Sequence, residues 1–187
     1  METSERIAIF KNSKVMDIID EDRLEWLIDN GFFTAPASTK YHGNYEGGLF
    51  DHSFAVMNAL VELTERNNLI WECENSPYIV GMFHDLCKID QYKHSEIGVC
   101  MDGKPIYNPM AWDYNNETYL KGHGDKSVMM LASLMRLTEE EVFCICYHMG
   151  AFTEREKWND YTRAIHKYPN VLWTHHADMM ATHIQNI

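Results

Sequence analysis

Six residues of this chain place ligand chemistry in apolar surroundings: His52, His84, Asp85, His123, His148 and Asp178. The pair His84-Asp85 lies inside the otherwise apolar run Gly81-Met82-Phe83-His84-Asp85-Leu86-Cys87-Lys88. An imidazole and a carboxylate buried there cost roughly several kcal/mol unless something compensates them. A divalent cation does so, because it accepts a neutral imidazole nitrogen and a carboxylate oxygen together. Lys88 follows His84 at i+4 and leans over the same helical face. Asp178 stands in the apolar run Ala177-Asp178-Met179-Met180 and likewise needs a partner.

The elements that must carry these groups follow from spacing. Residues 1–33 read as a strand-like or irregular start and then a helix, capped by Asp17 or Asp20 and ended near Gly31. Residues 34–48 are loop, broken by Pro36 and several glycines. Leu49, Val56, Leu60 and Leu63 then fall at helical spacing, which puts His52 in the first turn of a long amphipathic helix. Ser76-Pro77 starts the next helix, expected to run through Leu86 and so to carry His84-Asp85. Residues 92–121 are rich in Tyr, Asn and Gly and contain the turn signal Asp102-Gly103, so a small β-hairpin or a long ordered loop is expected. His123 sits between two glycines at a loop–helix junction. Thr138-Glu139-Glu140-Glu141 is a capping box opening a helix that ends at His148. A last helix covers about 170–185. The candidate ligands thus sit on or beside five different helices, His84 and Asp85 sharing one, the arrangement by which helical bundles build metal sites from facing side chains. The fold class expected is all-α.

Composition narrows the function. The chain has 187 residues and a formal net charge of −12, so a broad nucleic-acid groove is disfavoured. Bound cations would reverse the sign locally and admit a small anionic substrate. Five cysteines, an odd number with no C-x-x-C pair, argue against a disulfide framework or a thiolate zinc site. No signal peptide and no membrane-length apolar run is read, so a cytoplasmic setting without membrane contact is expected.

Taken in order, H…HD…H…H…D resembles the HD-domain superfamily of metal-dependent phosphohydrolases, in its two-metal branch. The stretch Gly47-Gly48-Leu49-Phe50-Asp51-His52-Ser53 is similar to that family's lead-in to its first histidine, and His176-Ala177-Asp178 to its closing helix. The resemblance spans roughly residues 40–185 and is nearest to the catalytic domain of certain 3′–5′ exoribonucleases. It differs in two respects. Cys87 stands where HD-x-Gly-Lys has glycine, and the roughly 40 residues ahead leave no room for an oligonucleotide-binding barrel.

The resemblance implies an HD-type helical domain over 40–187, flanked by an N-terminal helical segment over 1–39. It implies one or two divalent ions (Mn, Fe, Co, Ni, Zn or Mg). His52, His84, Asp85 and Asp178 would hold the first, and Asp85 would bridge to a second completed by His123 and His148. It implies hydrolysis of a phosphate ester of a nucleotide or short oligonucleotide by a metal-activated hydroxide, with Asp85 and Lys88 as catalytic residues. Lys88 would bind the phosphate or simply be a solvated lysine. Lys126 and Asp125 could orient a phosphate, Asp125 more readily as a helix cap. His175 is a candidate substrate contact or a support for Asp178, and His94 could reach substrate. Two other readings stay open. One is a 3′–5′ exonuclease or phosphodiesterase on single strands, with Tyr92, Tyr107, Trp112, Tyr114 and Tyr119 stacking bases. The other is a catalytically silent nucleotide-binding domain.

Overall fold

The computed structural model describes residues 1–118 and 120–187; Tyr119 lies outside them. The fold is mostly α, with eight α-helices and one two-stranded antiparallel hairpin among the described residues. The helices are α1 (Thr3–Lys11), α2 (Glu21–Asp29), α3 (Gly48–Asn67), α4 (Ser76–Phe83), α5 (Gly124–Ala132), α6 (Glu139–Tyr147), α7 (Trp158–Lys167) and α8 (Asn170–Met180). The strands β1 (Tyr92–Val99) and β2 (Pro105–Tyr114) lie between α4 and α5. No described helix is long and apolar enough to cross a membrane.

The N-terminus departs from the strand-like start expected of it: residues 3–11 are helix. Its local signal is a capping box in which the Glu2 amide donates to Glu5 Oε2 at 2.8 Å. Phe10 at its end enters a cluster of edge-to-face and tilted rings with Phe32, Phe33, Phe50 and Phe83. Burying such rings drives the packing, at about 25 cal/mol for each Å² of apolar surface removed from water. Arg6 locks α1 to α3 through a two-pronged pair with Asp51, Nε–Oδ1 2.9 Å and Nη2–Oδ2 2.8 Å. Residues 1–33 therefore share one core with the helices that carry the ligands.

Helix α3 packs against α4 and α8, and α6 packs against α4, α5 and α8. Two glycines set the spacing. A Cβ on Gly81 would strike the Met57 backbone, so glycine brings α4 close to α3. A Cβ on Gly124 would strike the Ile145 and Cys146 carbonyls, so glycine lets α5 start against the end of α6. The first approach draws His84 to His52, the second draws His123 to His148.

Helix α2 is capped by Asp20, whose side chain accepts from the Arg23 amide. The capping box at Thr138 forms as its sequence requires: Thr138 Oγ1 accepts from the Glu141 amide, and Glu141 Oε2 from the Thr138 amide. Helix α4 ends earlier than its apolar periodicity suggests. His84 is its C-cap, Asp85 leaves helical geometry (φ −106°, ψ 19°), and Leu86–Ile89 form a 3-10 turn. In the hairpin, His94 pairs with Trp112 while Ser95 pairs with Asn108, so β2 bulges around Pro109, which has no amide hydrogen for the ladder.

Candidate metal centre

The six candidate ligands converge from five helices. His52 lies on α3, and His84 and Asp85 follow α4. His123 precedes α5, His148 caps α6, and Asp178 lies on α8. Asp85 is the hub, and its two oxygens face opposite ways. Oδ2 is 3.6 Å from His52 Nε2 and 3.5 Å from His84 Nε2. Oδ1 is 3.1 Å from His123 Nε2 and 3.4 Å from His148 Nε2. Asp178 Oδ1 stands 3.2 Å from His52 Nε2. Ligand atoms of the trios His52-His84-Asp85, His84-His148-Asp178 and Asp85-His123-His148 lie within 4.8 Å of one another. The early end of α4 is what makes adjacent His84 and Asp85 compatible with one centre, because on a continuous helix they would diverge by about 100°.

The histidine hydrogen bonds fix what the rings offer. His84 Nδ1 donates to the Gly81 carbonyl at 2.9 Å, His148 Nδ1 to the Ile145 carbonyl at 2.7 Å and His52 Nδ1 to Ile187 O at 3.0 Å. A carbonyl oxygen only accepts, so Nδ1 carries the hydrogen and a neutral ring presents the Nε2 lone pair. The Nε2 atoms of His84 and His148 and Oδ1 of Asp85 are buried with no hydrogen-bond partner. Lone pairs aimed at a carboxylate repel it. A divalent cation between them satisfies all three, and imidazole nitrogen with carboxylate oxygen is a donor set that such ions take.

In the metal-free cluster Asp85 also draws protons to its neighbours: against burial, it raises the pKa of His84. Burial opposes ionisation of Asp85, yet Lys88, His84 and His123 hold its carboxyl well below the ordinary range. Asp178 is also held low: burial opposes it, and His52 and the neighbouring rings prevail. His123 is pushed to about 10, since Asp85 outweighs the effect of burial. His148 goes the other way, lowered by burial.

The remaining expected residues divide. Lys88 is buried, not solvated, and its ammonium lies 2.6 Å from Asp85 Oδ2. Lys126, a candidate to orient a phosphate, is buried at the start of α5 and paired with Asp90. Asp125 lies in the first turn of that helix, whose N-cap is His123, and accepts from the His123 amide at 2.9 Å and the Lys126 amide at 3.0 Å. His175 is tied to the backbone of a ligand: its Nδ1 donates to the His148 carbonyl at 2.8 Å, because α8 runs beside the end of α6.

Three supporting contacts were not read from the sequence. Thr182 Oγ1 donates to Asp178 Oδ1 at 3.3 Å, a contact its i+4 spacing could have signalled. The His42 ring lies tilted against His52, centroids 5.1 Å apart, and burial lowers its pKa to about 4. His123 Nδ1 lies 3.4 Å from Cys87 Sγ, which in turn donates to Gln91 Oε1 at 3.6 Å. The odd residue of the HD-x-x-Lys stretch is thus the partner of a ligand.

Fold and site together define a mostly-α protein with a buried His/Asp cluster able to hold a metal ion. Comparison with family models, with curated proteins and with solved structures gives no match to this chain.

Proposed function

We propose that the chain is a metal-dependent phosphohydrolase that cleaves a phosphate ester of a nucleotide or short oligonucleotide, as its resemblance to the HD superfamily suggests. The observation that carries this reading is the division of Asp85, one oxygen toward His52 and His84 and the other toward His123 and His148. Such a carboxylate suits a pair of cations, which when bound polarise phosphoryl oxygens and activate water. The six side chains would hold the pair. The Nδ1 bonds of His52, His84 and His148 keep their rings oriented and in the tautomer that binds metal.

Lys88 supplies fixed positive charge beside Asp85, and Asp85 outweighs burial to keep that lysine protonated. Its ammonium is the group of this chain that meets the substrate phosphate. A cleft of about 340 Å³ is lined by Ile89, which follows Lys88 in the chain, and by Tyr92, His94 and Trp112 of the hairpin, and no lysine or arginine lines it. That favours a single nucleotide or a strand end over an extended strand, which needs a basic track along its backbone.

The test is metal content together with hydrolysis of p-nitrophenyl phosphate and bis-p-nitrophenyl phosphate across the six ions. Turnover that requires an added divalent ion supports the reading, and the ester preferred separates monoesterase from diesterase. No turnover with any ion, in protein shown to carry metal, leaves the nucleotide-binding domain as the better account.

A further inference from the structure

The cleft of about 340 Å³ is lined by Tyr92, His94 and Trp112 of the hairpin and Ile89 of the 3-10 turn, and by Gly31, Thr34, Ala35, Pro36 and Glu46 from the loop before α3. Three features give it a chemical character. First, its walls carry aromatic and aliphatic groups: His94 and Trp112 stack on each other at 3.9 Å and 26°, and Ala35 and Pro36 also line it. Second, its one charged lining residue is a carboxylate, Glu46, which accepts hydrogen bonds and repels phosphate. Third, its lining connects to the candidate ligands along the chain and through side-chain contacts. Ile89 follows Lys88 in the chain, and Tyr92 Oη is joined to His123 through Gln91 and Cys87 by contacts of 3.4, 3.6 and 3.4 Å.

A cleft this size falls at the small end of ligand sites, about 300–1,000 Å³. A stacked aromatic pair suits a planar ring, and an accepting carboxylate suits a ring that carries N–H groups. The bulge at Pro109 matters here, because it sets the pairing that puts His94 directly across from Trp112. Of the aromatic residues considered for base stacking, Tyr92 and Trp112 line the cleft, whereas Tyr107 and Tyr114 point largely to solvent.

We propose that this cleft is the base subsite of the enzyme, taking a nucleobase with an exocyclic amino group between the hairpin aromatics and Pro36, with its amino group on Glu46. This rests on the phosphohydrolase reading for the other half of the substrate, whose phosphate then lies toward Lys88. Amino-bearing bases are preferred over uracil, which has no exocyclic amino group for Glu46.

The experiment uses the metal-loaded full chain and nucleosides without phosphate. Guanosine, adenosine and uridine are titrated by calorimetry into the wild type, W112A and E46Q, with metal content measured in each. Saturable binding of guanosine or adenosine, tighter than that of uridine, is expected. W112A should weaken it about tenfold or more, the scale of a lost base–aromatic stack. E46Q should narrow the preference over uridine while metal content stays at the wild-type level. No saturable binding of either amino-bearing nucleoside to the wild type overturns the proposal. So does binding that is unchanged in both variants. Should W112A fail to fold, the wild-type titration and the exposed-site variant E46Q still decide. Nucleoside binding without hydrolysis of any phosphate ester would sink the phosphohydrolase reading and keep the subsite. Ester hydrolysis without nucleoside binding would do the reverse.

Discussion

His84 and His148 occupy equivalent places on two different helices: each is the C-cap, and each donates Nδ1–H to the carbonyl three residues before it. Their rings meet edge to face, centroids 4.8 Å apart, and both Nε2 atoms are buried without a hydrogen-bond partner. The free end of a helix has unpaired carbonyls, and each histidine uses one to set its own tautomer. Helix ends thereby serve as the mounts of the ligand cluster.

Asp85 and Lys88 are a buried pair, with side chains 3% and 10% exposed. Removing one partner leaves the other charge uncompensated, at a cost of about 3–5 kcal/mol. In metal-free protein, D85N should lose stability on that scale in urea unfolding, and D85N/K88M should recover much of it. Equal stability of D85N and wild type would show that the pair is not buried as described. In metal-loaded protein, D85N should also abolish ester hydrolysis.

His175 acts on His148 through the backbone. H175F keeps a ring beside Gly150 but removes the N–H that the His148 carbonyl accepts. Partners of ligands commonly tune metal affinity by about 10–100-fold. H175F should therefore weaken metal binding at least about tenfold in a competitive chelator titration, with the far-ultraviolet circular dichroism unchanged.

Cys87 offers a more selective test. His52, His84 and His148 rest on backbone oxygens, whereas His123 faces the Cys87 thiol. C87A should weaken the ion shared by His123 and His148 about tenfold. The ion held by His52 and His84 should be spared, so that a titration with a chelating indicator splits into two steps. A single uniform step would argue that the thiol does nothing for His123.

The pH dependence follows from His123. Its pKa in the metal-free cluster is raised from 6.5 to about 10. A raised histidine contributes stability that is fully present below the unfolded value and fades as pH rises through the folded one. Metal-free protein should therefore lose stability from pH 6.5 toward pH 10, by up to about 1.4 kcal/mol for each pH unit. A cation replaces that proton, so metal affinity should rise over the same window. Thermal melts with and without chelator across this range should diverge as pH increases; parallel curves would contradict the assignment.

Much of the site was legible in the sequence because ligand chemistry is carried by rare residue types in apolar runs. His84-Asp85 and Asp178 are conspicuous for that reason, and caps such as Thr138 and Asp20 declare helix starts locally. What stayed hidden depends on tertiary contact. Ile7-Ala8-Ile9-Phe10 alone does not say helix; the Arg6–Asp51 pair and the phenylalanine cluster decide it. The end of α4 at Phe83 is invisible in an apolar run that continues to Leu86. Lys126 reads like Lys88 in sequence, and only the packing of α5 reveals that one pairs with Asp90 and the other with Asp85.

The central claim is that Asp85 stands between two cations. Crystals of the protein grown with Mn²⁺ and measured for anomalous scattering test it most directly. Two anomalous peaks are expected, one beside Asp85 Oδ2 with His52 and His84, the other beside Oδ1 with His123 and His148. A map with no peak against Asp85, or with manganese bound only elsewhere on the surface, would contradict it.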